Sequence, residues 1–273
     1  MQKIKPKRAG RDMRYQQTNI SGDVLRKYVE NKPPKVYKGI SPSSLGGCMR
    51  SHYWKIKGVP STTPPNFGAL VNFEVGHAWE AMLAKAYEAD GSLVKWFQDG
   101  VDEAFYDEDT MLTGTPDLIV KEGKVTKIVD SKTVNSAYFR YAKMKGFDAW
   151  VKDNMNYVYQ QVAYVYLAQK NGYPDITTAV LSFASKDDGY IGMEFEIEAS
   201  DDLIQDVIKR AKKLKDFLDK DELPPCTCTG WLVGYCSMGD PNTQEPNKKK
   251  KIVNTICCEE LIEKARLAGK KPY

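Results

Sequence analysis

Long apolar runs are missing from this 273-residue chain, and its basic start, MQKIKPKRAGRDMR, leads into no apolar leader segment. No membrane span and no export signal are therefore expected. Histidine is scarce: His52 and His77 are the only two, which leaves little for a Cys/His nucleophilic enzyme. Internal repeats and low-complexity segments are absent, so solenoids and fibrous folds are excluded. Neither sign of charge dominates, since 40 Lys+Arg face 36 Asp+Glu for a net charge of +4. That balance alone does not demand a polyanionic partner. Six cysteines without a leader argue against a disulfide framework, for thiols used as metal ligands or packing, and for a reducing, cytoplasmic setting.

What is present is the composition of a globular protein, 42% hydrophobic and 28% charged, enough for one sizeable core. Charge is unevenly placed. Residues 1–57 carry 14 basic and 3 acidic groups, whereas residues 58–220 carry 18 and 26. A basic arm before an acidic body suits a protein that grips a phosphate backbone and holds a cation with carboxylates. A solvated tail is the plainer reading of residues 1–20. The expected organisation is a basic extension over 1–40, a core over 41–220 and a cysteine-bearing segment over 221–273. Lys248 to Lys251 read as an exposed loop.

Periodicity outlines the elements. Ser21 is a candidate cap for a helix reaching Asn31, stopped by Pro33 and Pro34. A helix is expected from Ser43 to Lys57. Leu70, Phe73, His77, Ala81, Ala84 and Tyr87 recur at threes and fours and predict a long helix over 67–89. Strands are expected at 93–97, 103–106, 117–120 and 125–130, the last two joined by a turn at 121–124. A long helix over 147–170, strands at 177–185 and 192–198, and a helix over 200–218 complete an α/β pattern around one sheet.

The chemistry concentrates in the acidic body. Asp130 and Lys132 are two apart at the end of a strand, so their side chains share a face, about 7 Å apart along it. Asp117 opens the neighbouring strand after Gly114-Thr115-Pro116. Pairing through the 121–124 turn would bring both carboxylates to one end of the sheet. Two hard oxygen ligands with open positions suit Mg²⁺ or Mn²⁺. A neighbouring lysine can orient or deprotonate a water and stabilise charge on a phosphate. Taken alone, D-x-K is most often a strand-end salt bridge. His77 alone reads as a core histidine, and Gln160 and Tyr164 alone as helix packing.

The order of these motifs is more specific than any one of them. Gly76-His77 on a helix, then G-T-P-D ending at Asp117, then Asp130-x-Lys132, then Gln160-x-x-x-Tyr164 resembles the RecB-type branch of the PD-(D/E)XK nuclease superfamily over residues 41–240. The resemblance implies a restriction-endonuclease-like mixed central sheet flanked by helices. It implies His77, Asp117, Asp130 and the Ser131 carbonyl as metal ligands, Lys132 as the catalytic lysine, and Gln160 and Tyr164 as supports of site and substrate. Glu80 has no secure role in that pattern.

Cys226, Cys228 and Cys236 fall within eleven residues of a Pro/Gly-rich loop, while Cys48 is far away in Ser41-Pro42-Ser43-Ser44-Leu45-Gly46-Gly47-Cys48-Met49-Arg50. Four thiolates suit a [4Fe-4S] cluster or a structural zinc. One cysteine ahead of the core and three behind resemble the iron-sulfur members of the same family, including CRISPR-associated RecB-like and phage exonucleases. The resemblance implies a cluster that ties the two ends of the chain together. Cys257 and Cys258 are the substitutes, with buried packing as their plainer role.

The resulting expectation is a Mg²⁺- or Mn²⁺-dependent exonuclease acting on single-stranded DNA or DNA ends in recombination, repair or replication, with a helicase or recombinase as a candidate partner and no membrane. Arg50, Lys55, Lys57 and the basic arm are expected to hold phosphates, and Tyr53 and Trp54 to stack on bases or pack in the core. The rivals are a non-catalytic DNA-binding subunit and a structure-specific endonuclease.

Overall fold

A computed structural model describes residues 19–33, 36–61, 64–98, 102–187 and 191–225. The chain divides into two compact units, Met1–Pro33 and Pro34–Tyr273. In the first unit, helix α1 spans Ile20–Glu30, with Asn19 rather than Ser21 at its N-cap position.

In the second unit, a single 3-10 turn at Pro42–Ser44 precedes helix α2 (Met49–Ile56). The expected continuous helix over 43–57 is thus split, because the Gly46-Gly47 pair cannot sustain helical propagation cheaply. Helix α3 (Phe67–Asp90) is capped by the Asn66 side chain, which accepts from Ala69 N, and it ends at Gly91 with φ of 80°. Then come β1 (Leu93–Trp96), β2 (Phe105–Asp107), β3 (Leu112–Gly114), β4 (Leu118–Glu122) and β5 (Val125–Val134). Helices α4 (Ser136–Lys145), α5 (Phe147–Asp153) and α6 (Met155–Lys170) lead to β6 (Thr178–Ser185), β7 (Ile191–Glu198) and α7 (Asp201–Asp219).

Five strands form one mixed sheet in the order β1-β4-β5-β6-β7. Only β5 and β6 run parallel, with Asp130 opposite Leu181 and Lys132 opposite Phe183. A parallel pair needs a long crossover, and α4, α5 and α6 supply it. The expected helix over 147–170 is broken at Asn154, whose Nδ2 donates to Trp150 O at 2.8 Å and whose Oδ1 accepts from the Tyr138 hydroxyl. A side chain that competes for backbone partners in this way stops a helix from running through.

Alternation along the strands sorts the two faces. Ile119, Ile128, Leu181 and Phe183 join the larger core, with α6 and Trp150. Leu118, Val120 and Val129 face the other way and pack with Ala84, Leu83 and Tyr87 of α3. Asp130 and Lys132 share the parity of Ile128 and therefore the α6 side; Ser131 and Thr133 share the parity of Val129 and the α3 side. Helix α6 is buried nearly all round, including Gln160 and Gln161. A helix enclosed on every side is a fixed platform, and that is what the site is built on.

Hairpin β2–β3 leads into the site. Asp107 Oδ2 accepts from Thr110 N at 3.2 Å and from the Tyr166 hydroxyl at 3.0 Å, which ties the hairpin to α6. Among the described residues, no helix is long and apolar enough to cross a membrane.

Candidate functional site

The strand following Gly114 threads a narrow gap. A Cβ on Gly114 would lie 2.9 Å from Pro42 Cδ and 3.3 Å from Tyr164 Cε1, so only glycine passes without displacing either ring. Pro116 is buried, and Asp117 O accepts from Phe97 N at 3.1 Å, which anchors the backbone at the mouth of β4.

From there the Asp117 carboxylate reaches β5. Ser131 N donates to Asp117 Oδ2 at 2.7 Å, in a position where β4 no longer supplies a strand partner. Because a strand residue directs its N–H and C=O to the same edge, the Ser131 carbonyl faces that same opening. Asp130, fully buried, accepts from Gln160 Nε2 at 3.3 Å through Oδ1. Its Oδ2 is held by the Lys132 ammonium in a close ion pair. The expected convergence of Asp117, Asp130 and Lys132 on one end of the sheet is therefore present in this geometry.

The electrostatics are unbalanced. Burial, and then the adjacent Asp130 charge, hold the Asp117 carboxyl well above the usual carboxylate range; Lys132 opposes this and Glu80 adds to it. Burial alone would push the Lys132 ammonium down, but the charges of Asp130 and Asp117 outweigh it and hold the group above lysine's ordinary value. A lysine in that condition donates hydrogen bonds and carries charge; it does not accept a proton. Tyr164 is likewise pushed up, by burial first and then by Asp130 and Asp117, with Lys132 and Gln160 opposing. Two carboxylates against one ammonium leave a buried excess of negative charge.

His77 lies elsewhere. Its side chain is 52% exposed, with Nδ1 3.9 Å from Glu74 Oε1, and it belongs to α3, which covers the opposite face of the sheet from Asp130. The apolar face expected for it is not observed, and Phe73 on the same helix is also exposed. Among the described residues, no group of three or more His, Cys, Asp or Glu side chains is close enough to hold a metal ion. Glu80, given no role from the sequence, is the α3 residue whose charge reaches Asp117.

The expected DNA contacts on α2 are a second difference. Tyr53 is buried and donates its hydroxyl to Asp221 Oδ1 at 3.0 Å, and Lys57 Nζ lies 2.6 Å from the same atom. Arg50 Nε donates to Pro224 O at 2.6 Å, and Trp54 packs edge-on against Tyr53 with a buried Nε1. Arg50, Tyr53 and Lys57 therefore brace α2 against the segment after α7. Cys48 is half-buried at the N-cap position of α2. Cys226, Cys228, Cys236, Cys257 and Cys258 lie outside the described residues.

No family model matches this chain, and no curated protein does. Among solved structures, it is similar to a protein crystallised as SSO0001, at 16% identity and a TM-score of 0.45, over 80% of this chain and 92% of that one. It is also similar to an alkaline exonuclease from Laribacter hongkongensis, at 14% identity and a TM-score of 0.47, over 67% and 89% of the two chains. A second structure of that exonuclease, in complex with dAMP, matches over the same shares at 13% identity and a TM-score of 0.47. These likenesses carry no residue assignment.

Proposed function

We propose that the protein is a Mg²⁺- or Mn²⁺-dependent DNA nuclease, and specifically an exonuclease working on single-stranded DNA or DNA ends. The observation that carries this reading is the buried convergence of Asp117, Asp130 and Lys132 beside an open strand edge. A salt bridge serving stability alone would need one carboxylate; the second is costly here, as the upward displacement of Asp117 attests. The donor set fits a hard divalent cation, which is commonly held by one or two carboxylates with water and phosphate completing its shell.

Asp117, Asp130 and the Ser131 carbonyl would hold the cation; His77, exposed on α3 one turn before the Glu80 whose charge reaches Asp117, is proposed as the ligand that would turn inward to complete the shell. Once bound, a divalent cation supplies Lewis-acid activation of water and charge neutralisation at the phosphate. Lys132, kept charged by its neighbours, would position the phosphate and stabilise the charge that develops on it. Gln160 fixes the Asp130 carboxylate from α6, and Tyr164 closes the site on the side of Gly114. Exclusion of water by α6 strengthens each of these interactions.

A [4Fe-4S] cluster held by Cys48, Cys226, Cys228 and Cys236 completes the proposal, with zinc as the alternative occupant. The contact between Arg50 and Pro224 supports it, because these residues lie two positions from Cys48 and Cys226 respectively. Such a group would act as a crosslink, not as a participant in hydrolysis.

The test is cleavage of end-labelled linear single-stranded DNA with Mg²⁺ or Mn²⁺ by anaerobically prepared wild type and Asp130→Asn. Cleavage by the wild type alone supports the reading, and a covalently closed single-stranded circle separates exonuclease from endonuclease. DNA binding without cleavage by either protein would replace it with the non-catalytic DNA-binding subunit. Iron and acid-labile sulfide in equal amounts support the cluster; zinc without iron overturns it.

A further inference from the structure

With α2 engaged in bracing the fold, the surface that presents aromatic, apolar and basic groups beside the catalytic strand is α4. This helix follows β5 directly: Asn135 caps it, accepting from Tyr138 N at 2.8 Å, three residues after Lys132. Its inner face is fixed. Phe139 and Ala142 are buried, the Tyr138 ring lies 6.2 Å from Phe183, and Trp150 Nε1 donates to the Tyr138 hydroxyl at 3.1 Å. Phe183 is the register partner of Lys132, so α4 is mounted on the residue beside the catalytic lysine.

The outer face has a different character. Tyr141 is 46% exposed and Met144 87% exposed, with exposed Arg140 and Lys143 beside them. Helix α4, SAYFRYAKMK, contains three basic residues and no acidic one. Lys145 reaches across the Tyr141 ring at 5.2 Å from its centroid and pairs with Asp153, which steadies the ring without covering it. Positions 140, 141 and 144 fall on one stripe of the helix, so the ring, the thioether and a guanidinium line up along a rise of about 6 Å. A solvated helix needs no exposed ring and thioether on its basic face. Unpaired bases stack on such groups while cations hold the phosphates, and a duplex, whose bases are already stacked, gains less from them.

We propose that the Arg140–Met144 face of α4 is a single-stranded DNA track that leads the strand to the Asp117–Asp130–Lys132 site, with Tyr141 and Met144 contacting bases and Arg140 and Lys143 contacting phosphates. This rests on the nuclease reading for the strand's destination but not for its binding. The probe is a fluorescein-labelled oligothymidylate, with affinity measured by anisotropy in EDTA on the full chain, so that cleavage plays no part. Tyr141→Ala with Met144→Ala is expected to weaken binding about tenfold or more, from the usual contribution of base stacking. Lys143→Glu is expected to lower the dependence of affinity on salt by about one ion. An abasic oligomer should bind wild type and double variant alike, since it offers nothing to stack. Equal oligothymidylate affinity in wild type and double variant, or an equal loss with the abasic oligomer, overturns the track. Cleavage in Mg²⁺ is scored separately, so a failed nuclease reading leaves the binding result standing.

Discussion

Replacing Asp117 with asparagine should stabilise the fold while removing its response to magnesium. Asparagine keeps an oxygen for Ser131 N, now 2.7 Å from Asp117 Oδ2, and removes one of two adjacent carboxylates served by a single ammonium. The sign follows from the displacement of Asp117 above its ordinary value of 3.8. The folded state binds this proton more tightly than the unfolded state, so the carboxylate does not penalise folding below about pH 4, and the penalty grows as pH rises until the folded group ionises. In EDTA at neutral to alkaline pH, Asp117→Asn should gain about 1 kcal/mol, the scale of gain seen when a strained functional group is removed. For a chain of this size that is roughly 2–4 °C in melting midpoint, and the gain should shrink toward pH 4. Magnesium at about a hundred times its dissociation constant should stabilise the wild type by about 2.7 kcal/mol and the variant hardly at all. Differential scanning calorimetry across pH, with and without Mg²⁺, reads both. A wild type at least as stable as the variant in EDTA at pH 8, or an equal response of both proteins to magnesium, would refute the reasoning.

Lys132→Met should destabilise the protein by about 3–5 kcal/mol in urea titrations, because it strands the buried Asp130 carboxylate; the double change with Asp130→Asn should recover most of the loss. Failure of the second change to rescue would show that Lys132 acts through packing. His52 is buried, accepts from Ser41 N at 3.1 Å through Nε2, and is lowered to about 3 by burial and by Lys55. Its contribution is fully present above pH 6.5 and is lost as pH falls toward 3, so about 3 kcal/mol should disappear between neutrality and pH 4. His52→Gln, which keeps an acceptor, should flatten that slope, and an imidazole that titrates near 6.5 by NMR in the folded protein would contradict it. Gly46→Ala should cost about 1–3 kcal/mol or more, since its Cβ would lie 2.2 Å from Asn156 Cα, a backbone atom that cannot swing aside. An unchanged melting midpoint would show that the turn after Pro42 moves freely on α6.

Patterns local in the chain were legible before any coordinates. The periodic runs predict a helix over 67–89 and one over 200–218 that the fold contains to within a residue, while the strand expected at 125–130 extends four residues further, to Val134. The pairing of Asp130 with Lys132 follows from strand periodicity alone. The helix break at Asn154 is not legible in the periodicity, because it depends on Trp150 O and the Tyr138 hydroxyl, which the fold brings to that side chain. Strand β3 and helix α4 were missed, one for its brevity and the other because its basic and apolar residues follow no clean period.

The sequence by itself therefore determined the α/β class, the carboxylate–lysine pair and the strand that carries it, because period and turn chemistry are local properties. Only the tertiary structure decided which groups meet across the sheet. It set His77 on the α3 side, engaged Tyr53 and Lys57 with Asp221 and Arg50 with Pro224, and left the outer face of α4 open beside the site. The physical reason is that the face a side chain presents is set by periodicity, whereas its partner is set by how layers stack, and stacking depends on contacts between residues far apart in the chain.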